Sequence, residues 1–262
     1  MKTAFLAHYL VDACEFASDE EARHYLRGAV IEPSGHIAAT DGHALFAGHM
    51  AHDAESFVYS LDGARIVPKN KDLLKAAKAA GRDPAARYLV IEHAAPDAMR
   101  ATFRIVFAKS AADACGDALV AFTCEGEFID GAYIDWRRIL PKLPKDGKPI
   151  AAAPAFNARD IARFGAVSQS AKNTTRKGAL HRVRIIPCED ECAPFFIDLG
   201  REDAFGVLMP MRPGQEEIKE LAEDGKSERR TGLHKLPTAP AWVHPAPKPE
   251  SANSDAPSTA AA

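Results

Sequence analysis

Cysteine is scarce in this sequence, and long apolar runs are absent. The chain has 262 residues and five cysteines, an odd number that does not fit a closed disulfide framework. His8, Asp12 and Glu15 interrupt the apolar run near its start, unlike the apolar core of a secretory signal. No apolar run approaches the roughly 20 residues that a membrane span needs. We therefore expect a reduced, cytoplasmic protein without membrane contact.

Excess charge of one sign is also missing. The formal net charge is -3, with 26% charged and 47% hydrophobic residues, as in an ordinary globular protein. Any contact with nucleic acid would therefore depend on a local basic patch, not on overall charge.

One order of predicted elements is repeated along the chain. Apolar spacing predicts a helix over 4–17, and strands are predicted at 26–32, 36–40, 44–50 and 56–61. A second unit has the same order, with a short strand at 66–68, a helix over 70–80, and strands at 88–92, 101–108, 119–123 and 127–129. The pattern of strand, helix and strands thus occurs twice in about 70 residues each, which indicates an internal repeat.

A third unit follows a polar linker. Asn157 is a predicted N-cap for a helix that carries Ile161, Phe164 and Val167. A strand is predicted before this helix at 150–156, and further strands are predicted after it at 183–187, 195–199 and 204–211. From Pro213 the chain becomes charged and then rich in proline and alanine, so 213–262 is predicted to be a disordered tail.

The last apolar stretch before this tail is Val207–Arg212, which contains Met209 and Met211. Methionine fills gaps in cores, and it also lines surfaces that accept many peptides. The six residues alone leave two interpretations open, an edge strand with core methionines or part of a peptide groove.

Catalytic and metal-binding motifs are weak. The run Thr40-Asp41-Gly42-His43 lies near His36, His49, His52 and Asp53, but these groups lack a common ligand spacing. The chain has no nucleophile elbow, phosphate loop or HExxH motif. Cys188 and Cys192 flank three acidic residues, and a charged hairpin tip is the simpler interpretation than a metal knuckle. We expect no enzyme activity, no cofactor and no metal.

Four stretches, in this order, resemble the bacterial DNA polymerase III β subunit, the sliding clamp. They correspond to the family's YLNG-like strand entry, ATDGHRL turn, DGxFPDYRRVLP segment and VMPMR terminus. In this chain they are Tyr25-Leu26-Arg27-Gly28, Ala39-Thr40-Asp41-Gly42-His43, Asp130–Pro141 and Val207–Arg212.

The resemblance implies an α+β DNA clamp (processivity) fold built from repeated β-α-β-β-β units. It implies that 1–145 corresponds to the middle domain of a clamp and 149–212 to the second half of its last domain, one complete clamp domain plus a half domain. The first clamp domain would have no counterpart, so ring closure would differ from that of the family.

The resemblance further implies a groove for short linear motifs of DNA polymerase and other replication and repair proteins. Its apolar slot would accept leucine or phenylalanine anchors, and micromolar affinity is expected. Ala44 replaces a family arginine and Ile134 a proline. The corresponding positions are Leu26, Thr40, Gly42, His43, Leu45, Ile134, Arg138, Ile139, Val207, Met209, Pro210, Met211 and Arg212.

Sequence-independent contact with duplex DNA is the second implication. Lys71, Lys75, Lys78 and Arg82 share one face of the second helix, and family clamps turn basic helices toward DNA. The other positions implied to contact DNA are Arg23, His24, Tyr25, Arg159 and Arg163.

Two functions follow from the resemblance. One is a replication processivity factor, a homo-oligomer that tethers polymerase to DNA. The alternative is a ringless interaction module of phage or plasmid type, which captures clamp-binding motifs and competes with the host clamp. The oligomeric state distinguishes them.

Overall fold

Two antiparallel sheets and a layer of helices make up the described part of this computed structural model, residues 1–52, 55–80, 87–141, 156–170, 183–186 and 193–211. The helices are α1 (Ala7–Cys14), α2 (Lys71–Ala80), α3 (Ala111–Ala114) and α4 (Ala158–Ser170), with 3-10 turns at Glu21–Leu26 and Trp136–Ile139. The strands are β1 (Lys2–Leu6), β2 (Gly28–Ile31), β3 (His36–Thr40), β4 (Ala44–His49), β5 (Phe57–Val58), β6 (Arg65–Pro68), β7 (Arg87–Glu92), β8 (Arg100–Phe107), β9 (Leu119–Glu127), β10 (Arg184–Ile186), β11 (Phe195–Asp198) and β12 (Ala204–Leu208).

The strands form one five-stranded and one seven-stranded sheet. The first has the order β5-β1-β7-β8-β9 and the second the order β10-β11-β12-β4-β3-β2-β6. All of the strand pairs are antiparallel. Because β12 pairs with β4, the strands that follow α4 extend the sheet formed by the first unit.

The repeat is visible in the element order, β1-α1-β2-β3-β4 and then β6-α2-β7-β8-β9. Each unit contributes its first strand to the sheet of the other, since β1 pairs with β7 and β6 pairs with β2. The predicted α+β fold with repeated β-α-β-β-β units is confirmed. The predicted domain boundaries at 145 and 149 lie outside the described residues.

The prediction of one helix over 4–17 is wrong at its start. Lys2–Leu6 is a strand between β5 and β7, and the helix begins at Ala7. The sheet satisfies backbone hydrogen bonds on both sides of this segment, which outweighs its weak helical periodicity. The predicted strands at 119–123 and 127–129 are largely one strand, β9, and Leu26 closes a 3-10 turn ahead of β2.

One large core lies between the helices and the inner faces of both sheets. It contains Tyr9 and Leu10 of α1, Leu73 of α2 and Phe164 of α4. Helix α1 packs against both α2 and α4, so the three helices form one layer. Phe164 fits because position 206 on β12 is glycine; a Cβ there would lie 2.1 Å from the Phe164 ring.

The outer faces of the sheets are covered as well. Side chains alternate along a strand, so Ala44 and Phe46 face the helices while Leu45 and Ala47 face outward. On the seven-stranded sheet the outward residues pack under Trp136, and on the five-stranded sheet they pack under α3. The loop that contains Trp136 therefore covers apolar residues of the sheet that would otherwise be exposed to solvent.

The N-cap predicted at Asn157 is confirmed, and two further local signals act at Asn70 and at Gly35. The Asn70 and Asn157 side chains accept backbone N–H groups at the starts of α2 and α4. The β2–β3 hairpin turns at Gly35, whose φ of 79° suits glycine. None of the helices in the described ranges combines the length and apolar character of a membrane span.

Candidate functional site

The tight turn between β3 and β4 is organised by its own side chains. Thr40 Oγ1 donates to the Ala44 carbonyl at 2.8 Å and accepts the Gly42 N–H at 3.0 Å. Asp41 Oδ1 accepts the N–H groups of His43 and Ala44. Burial alone would raise the pKa of Asp41, but these two bonds and Arg163 lower it. The turn therefore presents Gly42 and His43 to solvent in a fixed conformation.

Two segments distant in sequence meet at this turn. The Thr40 N–H donates to Tyr133 Oη at 3.1 Å, and the Met209 N–H donates to the His43 carbonyl at 2.9 Å. In the sheet, Leu45 lies opposite Thr40 on one side and opposite Val207 on the other. The turn thus contacts Tyr133 and the end of β12, while Trp136 and Arg137 lie over the outer face of the sheet and reach Glu32 and His36 near its other end.

The segment 133–140 is bonded to Glu32, the residue that follows β2, in a contact that we call the Glu32–Arg137 clasp. Arg137 donates to both carboxylate oxygens of Glu32, at 2.9 and 2.7 Å, and Trp136 Nε1 donates to Glu32 Oε1 at 3.1 Å. The Arg137 guanidinium stacks over the Trp136 ring at 4.2 Å. Burial would raise the pKa of Glu32, but the Arg137 bonds and charge outweigh it and lower that pKa. Sequence patterns did not identify Glu32, a lone charge at the end of an apolar strand.

The predicted groove residues divide into exposed and buried groups. Leu26, Thr40, Leu45 and Val207 are buried, so they support the surface instead of lining it. Pro210 is half-buried, and Arg212 lies outside the described residues. The exposed members are Gly42, His43, Ile134, Arg138, Ile139, Met209 and Met211.

Four of these exposed members form what we call the apolar patch: Ile134, Ile139, Met209 and Met211. They are half of the eight large apolar side chains that are exposed in the described residues, the others being Met1, Met99, Leu119 and Val120. Met211 is the most exposed member, at 52%. Exposed apolar side chains on two segments that meet at one turn indicate an interaction surface.

The residues predicted to contact DNA lie in three places. Arg23, His24 and Tyr25 are beside the turn and not on the helix layer: the Arg23 guanidinium lies next to Gly42, and His24 lies near Gly131. Lys71, Lys75 and Lys78 are exposed along α2, beside an open depression that includes Leu74 and Ala79. Arg159 is exposed on α4, and Arg82 lies outside the described residues.

Arg163 has a structural role that the sequence prediction missed. Its guanidinium donates to Asp41 at 2.6 Å, to Asp160 at 2.9 Å and to the Glu15 carbonyl at 2.8 Å. It also stacks over the Phe16 ring. Three of its five N–H donors are used within the protein and its side chain is 15% exposed, which leaves little of Arg163 for contact with DNA. Acidic groups also reach the basic stripe, since Glu15 pairs with Lys78 at 2.5 Å.

Of the four histidines considered for catalysis, His43 is separated from His36, His49 and His52. His36 and His49 are paired at one end of the β3–β4 hairpin, and His43 lies at the other. Burial, together with the charges of His49 and Arg137, lowers the pKa of His36 to about 4. Among the described residues no three His, Cys, Asp or Glu side chains are arranged to hold a metal. Asp53 and the run Cys188–Cys192 lie outside those residues.

A buried ion network joins the segment after β11 to α1. Arg201 donates to Asp12 at 2.7 Å and to both oxygens of Asp203, at 3.1 and 2.6 Å. Tyr9 Oη donates to Asp203 at 2.7 Å. The members are distant in sequence, so no spacing rule predicted the network.

Fold and site together define an α+β protein with a seven-stranded sheet covered on both faces and with exposed apolar side chains on two segments that meet at its β3–β4 turn. No family model matches the chain, and no curated protein matches it.

Solved structures that resemble the chain are polymerase clamps. The DNA polymerase III subunit beta of Pseudomonas aeruginosa has 16% identity and a TM-score of 0.47, over 81% of this chain and 66% of its own. The sliding clamp of Bacillus subtilis has 13% identity and a TM-score of 0.45, with coverages of 82% and 65%. The beta subunit of Thermotoga maritima has 11% identity and a TM-score of 0.43, with coverages of 82% and 66%.

The chain therefore spans just under two thirds of the length of each of these clamps. They belong to the family that the four sequence motifs resemble.

Proposed function

We propose that the chain is a sliding-clamp-like replication factor whose apolar patch binds short linear motifs of DNA polymerase and other DNA-handling proteins. The observation that supports this most is that the Thr40–Ala44 turn is bonded both to Tyr133, which precedes Ile134, and to Met209. The four side chains of the patch come from the two segments whose motifs resemble the clamp groove, and all four are exposed.

The chemistry of the patch suits an extended peptide with apolar anchors. Methionine adapts its shape to different anchors, while the Glu32–Arg137 clasp attaches the segment 133–140 to the sheet. Arg138 and His43 are exposed nearby and can donate hydrogen bonds to the peptide backbone. The Met209 N–H already bonds to His43, so it is not free for the ligand.

Met211→Ala is expected to weaken binding of a clamp-motif peptide with leucine and phenylalanine anchors by about five- to tenfold. Loss of a contact in an apolar anchor site costs on the order of 1 kcal/mol. Fluorescence anisotropy with a labelled peptide measures the change. Met99→Ala is the matched control, since Met99 is 40% exposed but lies outside the patch. Equal affinity of wild type and Met211→Ala would place the peptide site elsewhere.

We further propose that the exposed lysines of α2 and Arg159 touch DNA phosphates without reading sequence. Lys71 and Lys75 are exposed and point from one helix face, while Lys78 is already paired with Glu15. The nearby acidic groups limit this surface to a few phosphate contacts.

Replacing Lys71 and Lys75 together with alanine is expected to lower the salt dependence of duplex DNA binding. Each lost phosphate contact reduces the slope of log K against log salt by about 0.9. Alanine is a good helix former, so α2 should remain folded. Lys109→Ala, an exposed lysine outside the helix layer, should leave the slope unchanged. An unchanged slope in the double variant would argue against DNA contact by α2.

The ringless module that competes for clamp-binding motifs is the second candidate, because Arg163 and Lys78 are engaged by acidic partners and the basic surface is correspondingly smaller. Light scattering separates the two candidates. A closed oligomer of defined number supports the DNA tether, and a monomer that binds the peptide supports the module.

A further inference from the structure

The apolar patch is the point from which the rest of the chain departs. Met211 is both the most exposed patch residue and the last described residue. Fifty-one residues, 212–262, follow it in the sequence. Any apolar group in those residues is thus tethered at the patch itself.

Apolar groups in those residues are few and clustered. Six large ones occur after Met211: Ile218, Leu221, Leu233, Leu236, Trp242 and Val243. Four of the six lie between Leu233 and Val243, and Trp242 is the only aromatic residue among them. Trp is the residue type most enriched at binding hot spots, together with Tyr and Arg.

We infer that the segment Leu233–Val243 occupies the apolar patch of its own chain and competes with linear motifs of partner proteins. The inference rests on the proposed function, since it concerns the regulation of the same site. Leu236 and Trp242 are the apolar anchors. Pro237 and Pro240 lie between them, and proline restricts φ, which reduces the entropy that an extended ligand loses on binding.

Because residues 212–232 connect the segment to Met211, even a weakly binding segment can occupy the patch for most of the time. Twenty-one residues separate Met211 from Leu233. That length corresponds to about 70 Å when extended and about 30 Å when helical, so it is sufficient for return to the patch. A short tether creates an effective concentration on the order of millimolar. An anchor segment with only high-micromolar affinity would then fill most of the patch, while a partner motif of micromolar affinity could still displace it.

The test uses the full chain with Leu233, Leu236 and Trp242 all replaced by serine. We expect the labelled clamp-motif peptide to bind this variant about tenfold more tightly than wild type, which corresponds to about nine tenths occupancy of the patch by the segment. Ile218→Ser combined with Leu221→Ser is the matched control, since it removes apolar groups from the same region but outside the segment. Its affinity should equal that of wild type.

Each of the other possible results contradicts either the inference or the proposed function. If both chains bind the peptide equally, the inference is wrong and the proposed function stands. If the wild-type affinity falls as protein concentration rises, the segment occupies a second copy and the intramolecular inference is wrong. If neither chain binds the peptide, the proposed function fails. A synthetic peptide of residues 231–244 then decides: the inference stands if it binds the serine variant and Met209→Ala weakens that binding, and otherwise it is wrong.

Discussion

Arg201→Met is expected to destabilise the protein by about 3–5 kcal/mol. The Arg201 side chain is 4% exposed, and its partners Asp12 and Asp203 are 1% and 14% exposed. Removing the guanidinium leaves two carboxylates in a site that water scarcely reaches, and an unpaired buried charge costs that much. Urea unfolding measures the change in the free energy of unfolding.

The control for this prediction is an exposed ion pair. Arg100 and Glu127 lie 2.6 Å apart but are 85% and 61% exposed. Arg100→Ala should therefore change stability by less than about 1 kcal/mol. If Arg201→Met lost no more than Arg100→Ala, the buried network would not be what joins the segment after β11 to α1.

Acid titration of Arg201→Met tests whether the Arg201 charge is the cause of this stabilisation. Burial alone would raise the pKa of Asp203, but the hydrogen bonds and charge of Arg201 and the Tyr9 bond hold it well below its ordinary value. A carboxyl group whose pKa is lower in the folded than in the unfolded protein stabilises the folded state at pH values above its unfolded pKa. This contribution to the free energy of unfolding is lost as the pH falls below about 4. Arg201→Met should lose less stability than wild type in that range.

Trp136→Ala is expected to cost about 3–5 kcal/mol and to abolish peptide binding as well. The indole is 1% exposed and packs with Leu45, Phe205 and Val207 on the outer face of the sheet. Truncating a buried tryptophan removes apolar contact area and leaves a cavity. It also removes a donor to Glu32, so the clasp that positions Ile134 and Ile139 is weakened.

Trp136→Phe separates packing from the hydrogen bond. Phenylalanine retains most of the apolar contact, so a loss of about 1–2 kcal/mol is expected from the missing N–H donor and the smaller ring. Peptide affinity, measured well below the unfolding transition, should fall less than in Trp136→Ala. Wild-type affinity in Trp136→Ala would show that the segment 133–140 does not position the patch.

Local chemistry made some elements predictable. Strand β3 has the predicted bounds, and the β2–β3 hairpin turns at Gly35 because glycine adopts its positive φ without strain. Asn70 and Asn157 cap their helices because a short side-chain acceptor reaches the first free N–H groups. Each of these signals acts within four residues of its position.

The candidate site was predictable only in part. Motif resemblance identified the exposed residues Ile134, Ile139, Met209 and Met211, but it also included Leu45 and Val207, which are buried. Alternation along a strand assigns a residue to one face, and it does not say which face another segment covers. The loop with Trp136 covers the outward face here, so Leu45 and Val207 lie beneath the surface and do not line it.

The sequence by itself determined most of the strand and helix types, the repeated unit and the family resemblance of the two segments at the patch, since these depend on neighbouring residues and their order. The tertiary structure decided which charged side chains are paired inside the protein and which remain available to a ligand. Arg163 pairs with Asp41, 122 residues away, and Arg201 pairs with Asp12, 189 residues away. A side chain is buried or exposed according to what packs on it, and for these residues the packing partners come from distant parts of the chain.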